Sequence, residues 1–275
     1  MTEHNLAAIL DVAVATVRSA GRLIMEHQPT GRSTPSYKDG VEPVTDADLL
    51  ADAEIARGLR AAFPRYGILS EETAVADGWE AADLSAAMWV VDPIDGTANY
   101  AHGHPYVSIS VAFIVDGTVE VGVVHAPFLG ETFTAIRGQG ARLNGHPIRT
   151  SVPDGLHRAV ISTGFPHRKG DLTPLLRRIE LLLTHCQDIR RGASPALDIC
   201  WVAAGRLDAH TETLHPWDVA ASALIAQEAG AVRSHLELVP AHVPPDLFGG
   251  GYLVSAAAIH DALVDLLTEG EGVER

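Results

Sequence analysis

Thiols are scarce in this chain. Cys186 and Cys200 are its two cysteines, and neither belongs to a CxxC pair. That argues against a disulfide framework or a cysteine-rich zinc site and for buried free thiols in the cytoplasm. Basic charge is also short: 20 Lys and Arg stand against 35 Asp and Glu, a formal charge of -15. A phosphate backbone demands clustered cations, so no nucleic-acid partner is expected. The N-terminal run MTEHNLAAILDVAVATVRSAGRLI lacks a basic n-region and a cleavage site, and Asp11 and Arg18 interrupt its apolar pattern. It reads as an amphipathic helix, and no membrane span or signal peptide is expected. The 14 histidines are scattered, without zinc-ligand spacing. There is no internal repeat and no low-complexity tract.

What is there is a chain of 275 residues with 47% hydrophobic and 20% charged content, enough for a large core. Leu6, Ile9, Leu10, Ala13, Val14, Val17 and Ile24 recur at helical spacing and predict a long first helix. Gln28 to Gly40, rich in Gly, Pro, Ser and Thr, reads as a loop. Thr45 or Asp46 then caps a second helix that runs to about Ala62, and Pro64 ends it. A short strand, Tyr66 to Ser70, stops at Glu71 and Glu72, and Trp89 to Val91 stops at Asp92. Val107 to Val115 and Val119 to His125 alternate around Asp116-Gly117, a hairpin signal; Asn144-Gly145 marks a later turn. After about Val152 strands and helices alternate, ending in a helix at Ala257 to Leu267. The reading is one compact unit in two halves: residues 1–151, helices and a mostly antiparallel sheet, and residues 152–275, α/β in pattern.

Carboxylates collect at the ends of these elements. Glu71 and Glu72 follow one strand, Asp92 another, Asp95 comes three residues later, and Asp218 opens a helix after His215-Pro216-Trp217. Hard oxygen ligands of this kind suit Mg²⁺. In WVVDPIDGTANY, Pro93 fixes φ, so that Asp92 and Asp95 face one point across a rigid turn, and the Ile94 carbonyl can join them. Gly96 permits close approach of backbone to a ligand, Thr97 brings a hydroxyl, and a short helix opening near Thr97 would offer N–H groups to an anion. Cations beside an anion-binding turn suggest a phosphate ester held for hydrolysis. Taken singly, each acid has a plainer explanation: a turn former, a solvated pair, a helix cap. Their combination and order favour the site.

With these residues assembled, the chain resembles the inositol monophosphatase family, within the lithium-sensitive, metal-dependent sugar phosphatases. WVVDPIDGTANY is similar to the first family signature and HPWDVAASALIAQEAGA, His215 to Ala231, to the second. DIRRGASPALDICWVAAGRLDA and TGFPH resemble the bacterial branch, while GILSEET and PVTDAD resemble the segments carrying the upstream acids. The likeness covers nearly the whole chain. It implies an α+β fold, the layered αβαβα sandwich of the inositol monophosphatase and fructose bisphosphatase type. It also implies a homodimer and two or three Mg²⁺ per site. Glu71, Asp92, the Ile94 carbonyl, Asp95 and Asp218 match the metal ligands. Asp95, Gly96 and Thr97 match the phosphate-binding turn. Thr97 paired with Asp48, together with Glu71, matches the groups that activate water for direct in-line attack without a phosphoenzyme.

Substrate contacts depart from the family. Where inositol phosphatases carry Ala after Gly-Thr, this chain reads Gly192-Ala193-Ser194-Pro195, placing Pro195 there, with Ser194 beside it as a further expected substrate contact. Glu212, with Asp218, fits the family's substrate-contacting acids, but the run from Glu212 to Asp218 is one residue shorter, and Thr211 takes the place if the gap falls elsewhere. The expected activity is hydrolysis of a small polyol, sugar or nucleoside phosphate, myo-inositol monophosphate first. Histidinol phosphate, fructose bisphosphate and nucleoside monophosphates are the alternatives. A dehalogenase-type phosphatase needs two Asp with one residue between them near a first strand; Asp92 and Asp95 are separated by two, deep in the chain. A different class is a regulatory partner of the same fold, since some bacterial relatives resemble partners of the transcription machinery.

Overall fold

The first helix forms where the apolar spacing put it. In the computed structural model, which describes residues 4–28, 36–38, 42–74, 79, 84, 86–166 and 170–271, α1 (Leu6–Glu26) buries Ile9, Ala13, Val17, Ala20 and Ile24 along one stripe. Asn5 caps it, its Oδ1 accepting the Ala8 N–H at 3.1 Å. β1 (Ser36–Lys38) and β2 (Glu42–Val44) pair antiparallel. β1 corrects the loop reading of Gln28 to Gly40 at residues 36–38. Three residues are too few to show a period of two in a Gly- and Pro-rich stretch. The rest of that stretch past Gln28 lies outside the described residues. α2 (Asp46–Ala62) follows, burying Ala51, Ile55 and Leu59.

A seven-stranded sheet comes next, in chain order: β3 (Gly67–Ser70), β4 (Met88–Asp95), β5 (Ser108–Val115), β6 (Thr118–Ala126), β7 (Glu131–Ile136), β8 (Ala141–Leu143) and β9 (His146–Pro147). β3 runs parallel to β4 and the other neighbours are antiparallel. Both hairpin turns carry left-handed residues, Asp116 (φ 50°) with Gly117 (φ 70°) and Asn144 (φ 49°) with Gly145 (φ 83°). Such turns match the twist of the strands they join. Two short helices, α3 (Glu71–Ala74) and α4 (Thr97–Ala101), leave the ends of β3 and β4.

The second sheet has five strands: β10 (Val160–Thr163), β11 (Asp188–Arg190), β12 (Ala209–Glu212), β13 (Ala231–His235) and β14 (Tyr252–Ala256), in spatial order β11-β10-β12-β14-β13. β10 is parallel to β11 and β12; the other pairs are antiparallel. The helices α5 (Thr173–His185), α6 (Pro195–Ala203), α7 (Pro216–Glu228) and α8 (His260–Glu271) complete the chain.

Three apolar cores hold five layers together. Ile9, Val17, Ile55 and Leu59 of α1 and α2 meet Trp89, Val91, Phe113 and Val121 on one face of the large sheet. Val90, Ala112, Val124 and Phe133 on its other face meet Leu197, Cys200, Ala221 and Leu224 of α6 and α7, which also touch Tyr252 and Val254 of the second sheet. Behind that sheet, Ile161, Ala209 and Leu253 pack on Leu182, Leu263 and Leu267 of α5 and α8. The order is αβαβα, as expected. β4 is buried on both faces, which is why its sequence shows no alternation. Both cysteines are free and buried.

One close approach sets the spacing of the middle layers. A Cβ at Gly122 of β6 would lie 2.6 Å from the Ala221 carbonyl oxygen of α7. Only a residue without a side chain lets that helix lie so near the sheet.

Candidate active site

β4 does not stop at Asp92. It continues to Asp95, and its register slips between them: Asp92 faces Ser110 and Asp95 faces Ser108, three steps on β4 against two on β5. This bulge re-aims the chain where Pro93 has no N–H to give the ladder. The expected strand end is thus corrected to a kink within a strand. Asp92 Oδ1 accepts the Ile94 N–H at 3.0 Å, closing a local turn. Asp95 Oδ2 accepts from Ser194 Oγ at 2.5 Å, Ser108 Oγ at 3.0 Å and the Ala196 N–H at 2.9 Å.

Asp218 arrives from the start of α7, where Pro216 opens the helix and the Asp218 carboxylate accepts the His215 N–H at 2.8 Å. Asp92, Asp95 and Asp218 each bring a carboxylate oxygen within 4.8 Å of the others. This is the group with metal-site geometry among the described residues. Glu71, first residue of α3, hydrogen-bonds Asp92 through its side chain. Burial, Glu71, Asp95 and Asp218 hold the Asp92 carboxyl well above the usual range. Burial and the charges of Asp95, Glu71 and Glu212 do the same to Asp218, and burial raises Asp95 against its serine hydrogen bonds. Crowded carboxylates resist ionisation until a cation offsets them. The donor set is all oxygen, which suits a hard cation.

Next to this trio, Gly96 takes φ 97° and α4 begins at Thr97. Thr97 Oγ1 lies 3.1 Å from Asp48 Oδ1 and 3.0 Å from the Ile94 carbonyl oxygen. Asp48 Oδ2 accepts from Thr45 N at 2.7 Å and Thr45 Oγ1 at 2.6 Å. Burial pushes the Asp48 carboxyl up to about 6 against these hydrogen bonds.

The structure thus brings Glu71, Asp92, Asp95 and Asp218 together, and Asp48 with Thr97 beside the Ile94 carbonyl. Glu212, at the end of β12, bears electrostatically on Asp218 and feels Asp95, while its neighbour Thr211 points to the opposite face of the strand. Pro195 is half-buried at the start of α6. Ser194 differs from expectation. It is fully buried and its hydroxyl is spent on Asp95 and Ser108, so it supports an acid where a substrate contact was expected.

The residue pattern of the inositol monophosphatase family matches residues 5–270. The chain belongs to that family. Relatives include the Nus factor SuhB of Escherichia coli, 38% identical over 229 residues that span 82% of this chain and 84% of that protein. The Nus factor SuhB of Pseudomonas aeruginosa is 40% identical over 232 residues, 82% of this chain and 84% of its own. Among solved structures, an IMPase of Thermotoga maritima superposes with a TM-score of 0.83 at 32% identity, covering 96% of this chain and 98% of its own. Mycobacterium tuberculosis SuhB gives 0.80 at 30%, covering 99% and 100%. A small substrate as partner fits the family, and the Nus-factor name of these relatives bears on the alternative of a regulatory partner. No helix among the described residues is long and apolar enough to cross a membrane.

Sequence reasoning missed the braces of this family site. Asn99 Nδ2 donates to the Tyr106 carbonyl at 2.7 Å and the Gly192 carbonyl at 2.8 Å, tying the first signature to the loop before α6. Tyr106 Oη donates to Asp198 Oδ1 at 2.6 Å. The available signal for Asn99 was its type: Asn is a poor helix former inside a five-residue helix. Ser108 gave none, since a serine in a strand is unremarkable.

Proposed function

We propose that the protein is a Mg²⁺-dependent phosphomonoesterase for a small polyol phosphate, with myo-inositol monophosphate the leading substrate. The observation that carries this is the convergence of Asp92, Asp95 and Asp218 within 4.8 Å, beside the Asp48–Thr97 pair. On this reading Glu71, Asp92, the Ile94 carbonyl, Asp95 and Asp218 hold two or three Mg²⁺. Bound Mg²⁺ would neutralise phosphoryl oxygens and acidify water. The N–H groups of Gly96 and Thr97 orient the phosphate. Thr97 Oγ1 accepts a proton from the attacking water as it donates its own to Asp48 Oδ1, and Glu71 orients that water from the other side. In-line attack on phosphorus then breaks the ester P–O bond, and the departing alkoxide takes a proton from a second water molecule and leaves as the alcohol. Pro195, Glu212 and Asp218 shape the pocket for the alcohol. Homodimers in the cytoplasm complete the proposal.

The test is phosphate release from inositol, histidinol, fructose and nucleoside phosphates with and without Mg²⁺. Mg²⁺-dependent release with one favourite is expected. Absence of release from every ester would overturn the reading. A second reading, a regulatory partner of this fold, is favoured by the Nus-factor name of relatives at 38% and 40% identity. It predicts that a partner is retained when Asp95→Asn abolishes turnover.

A further inference from the structure

β12 sets His210 and Glu212 on one face, two residues apart. His210 is 0% exposed. Its Nδ1 lies 2.9 Å from Ser162 Oγ and 3.8 Å from Asp198 Oδ2. Its Nε2 has no hydrogen-bond partner among the described residues and points at Glu212 Oε2, 3.6 Å away. A buried ring nitrogen left unpaired costs about 1–3 kcal/mol, which a hydrogen bond with the Glu212 carboxyl would recover. The other side of the same carboxyl is defined by a missing side chain. A Cβ at Gly164, just past β10, would lie 1.7 Å from Glu212 Oε1 and 1.9 Å from its Cδ. Gly164 is not in the left-handed region, so its backbone does not require glycine. The Glu212 carboxyl fills the space a side chain would take.

We infer that Gly164 and His210 are positioning residues that seat the Glu212 carboxyl in the substrate pocket and thereby favour esters that offer it a hydroxyl. The inference rests on the proposed phosphatase reading for its substrate. Burial dominates the carboxyl's environment. Arg191 and Arg178 favour its ionised form, Asp198 and Asp95 oppose it, and the acid is raised to about 8. Glu212 in turn holds Asp218 up. Burial lowers His210 to about 3, so its ring is neutral at pH 7. A neutral carboxyl beside a neutral imidazole can spend one oxygen on Nε2 and use the other on substrate. A carboxyl O–H donates as well as accepts, which suits a hydroxyl.

The experiment compares Gly164→Ala and His210→Phe with Glu212→Gln, using myo-inositol monophosphate and p-nitrophenyl phosphate, which has no hydroxyls. The clash at Gly164 is with the end of a flexible side chain, so Gly164→Ala should fold; His210→Phe keeps the ring volume. In all three, kcat/KM on the polyol ester is expected to fall about tenfold further than on p-nitrophenyl phosphate, chiefly through KM. Gly164→Ala should add nothing in the Glu212→Gln background. Equal losses on both esters, or additive losses in the double variant, would overturn the inference. Should the wild type hydrolyse no ester, the phosphatase reading fails by itself, and the seating is read by side-chain ¹⁵N NMR of His210. A shifted Nε2 resonance in both Gly164→Ala and Glu212→Gln upholds it; an unmoved one sinks it.

Discussion

Asp48 and Thr97, 49 residues apart in sequence, are joined by a hydrogen bond in which Thr97 Oγ1 donates to Asp48 Oδ1 at 3.1 Å. Asp48 lies in the first turn of α2 and Thr97 opens α4. The second Asp48 oxygen is fixed by Thr45, so the acceptor facing Thr97 cannot turn away. If the pair moves a proton, Thr97→Ala and Asp48→Asn should each lower kcat by about 100-fold or more. Losses that multiply in the double variant would mean that the two act separately.

The same carboxyl has a stability signature. Burial holds the Asp48 carboxyl up to about 6 in the folded chain, above its ordinary value of 3.8. A raised carboxyl favours folding while protonated in both states, and that contribution is lost as pH rises through about 6. Asp48→Asn should therefore stabilise the metal-free protein at pH 8 relative to wild type and show no such gain near pH 4. Thermal unfolding at the two pH values checks this; a gain of equal size at both would show that ionisation is not its source.

Mg²⁺ should reverse the cost of crowding in the acid trio. Asp92, Asp95 and Asp218 are all raised, so each is more protonated in the fold at low pH. A cation binds the ionised form. The Mg²⁺-induced rise in Tm is expected to be larger at pH 8 than at pH 5. Asp95→Asn should abolish most of that rise along with turnover while leaving the fold intact. An Asp95→Asn protein with wild-type Mg²⁺ dependence would remove Asp95 from the ligand set.

Much of this architecture was readable because it is local. The 3.6-residue stripe of α1, the Thr45 start of α2 and the Asp-Gly and Asn-Gly turns each depend on a few neighbouring residues. The acid trio was legible because Asp92 stands at the Pro93 kink, Asp95 ends β4 and Asp218 lies in the first turn of α7, places where a packing explanation is weak. What stayed hidden depends on approach in space. The bulge between Asp92 and Asp95 needs the register of β5, and the hold of Ser194 on Asp95 links residues 99 apart. The unpaired nitrogen of His210 and the room beside Gly164 exist only once β10 and β12 lie side by side.

Gly122 offers a test of how the layers deliver Asp218 to the trio. A methyl group there would sit 2.6 Å from the Ala221 carbonyl oxygen and 3.0 Å from its Cα, both backbone atoms that cannot rotate aside. Gly122→Ala must push α7 off the sheet or bend β6, at about 1–3 kcal/mol. Because α7 carries Asp218 at its start, the displacement should also weaken Mg²⁺ binding. Gly67→Ala is the control: its nearest contact would be Met88 Cβ at 3.4 Å, an ordinary approach. Urea unfolding and a Mg²⁺ titration of both variants separate the outcomes. Lost stability with unchanged Mg²⁺ affinity would mean that the His215–Asp218 hydrogen bond, and not the packing of α7, holds the carboxylate in place.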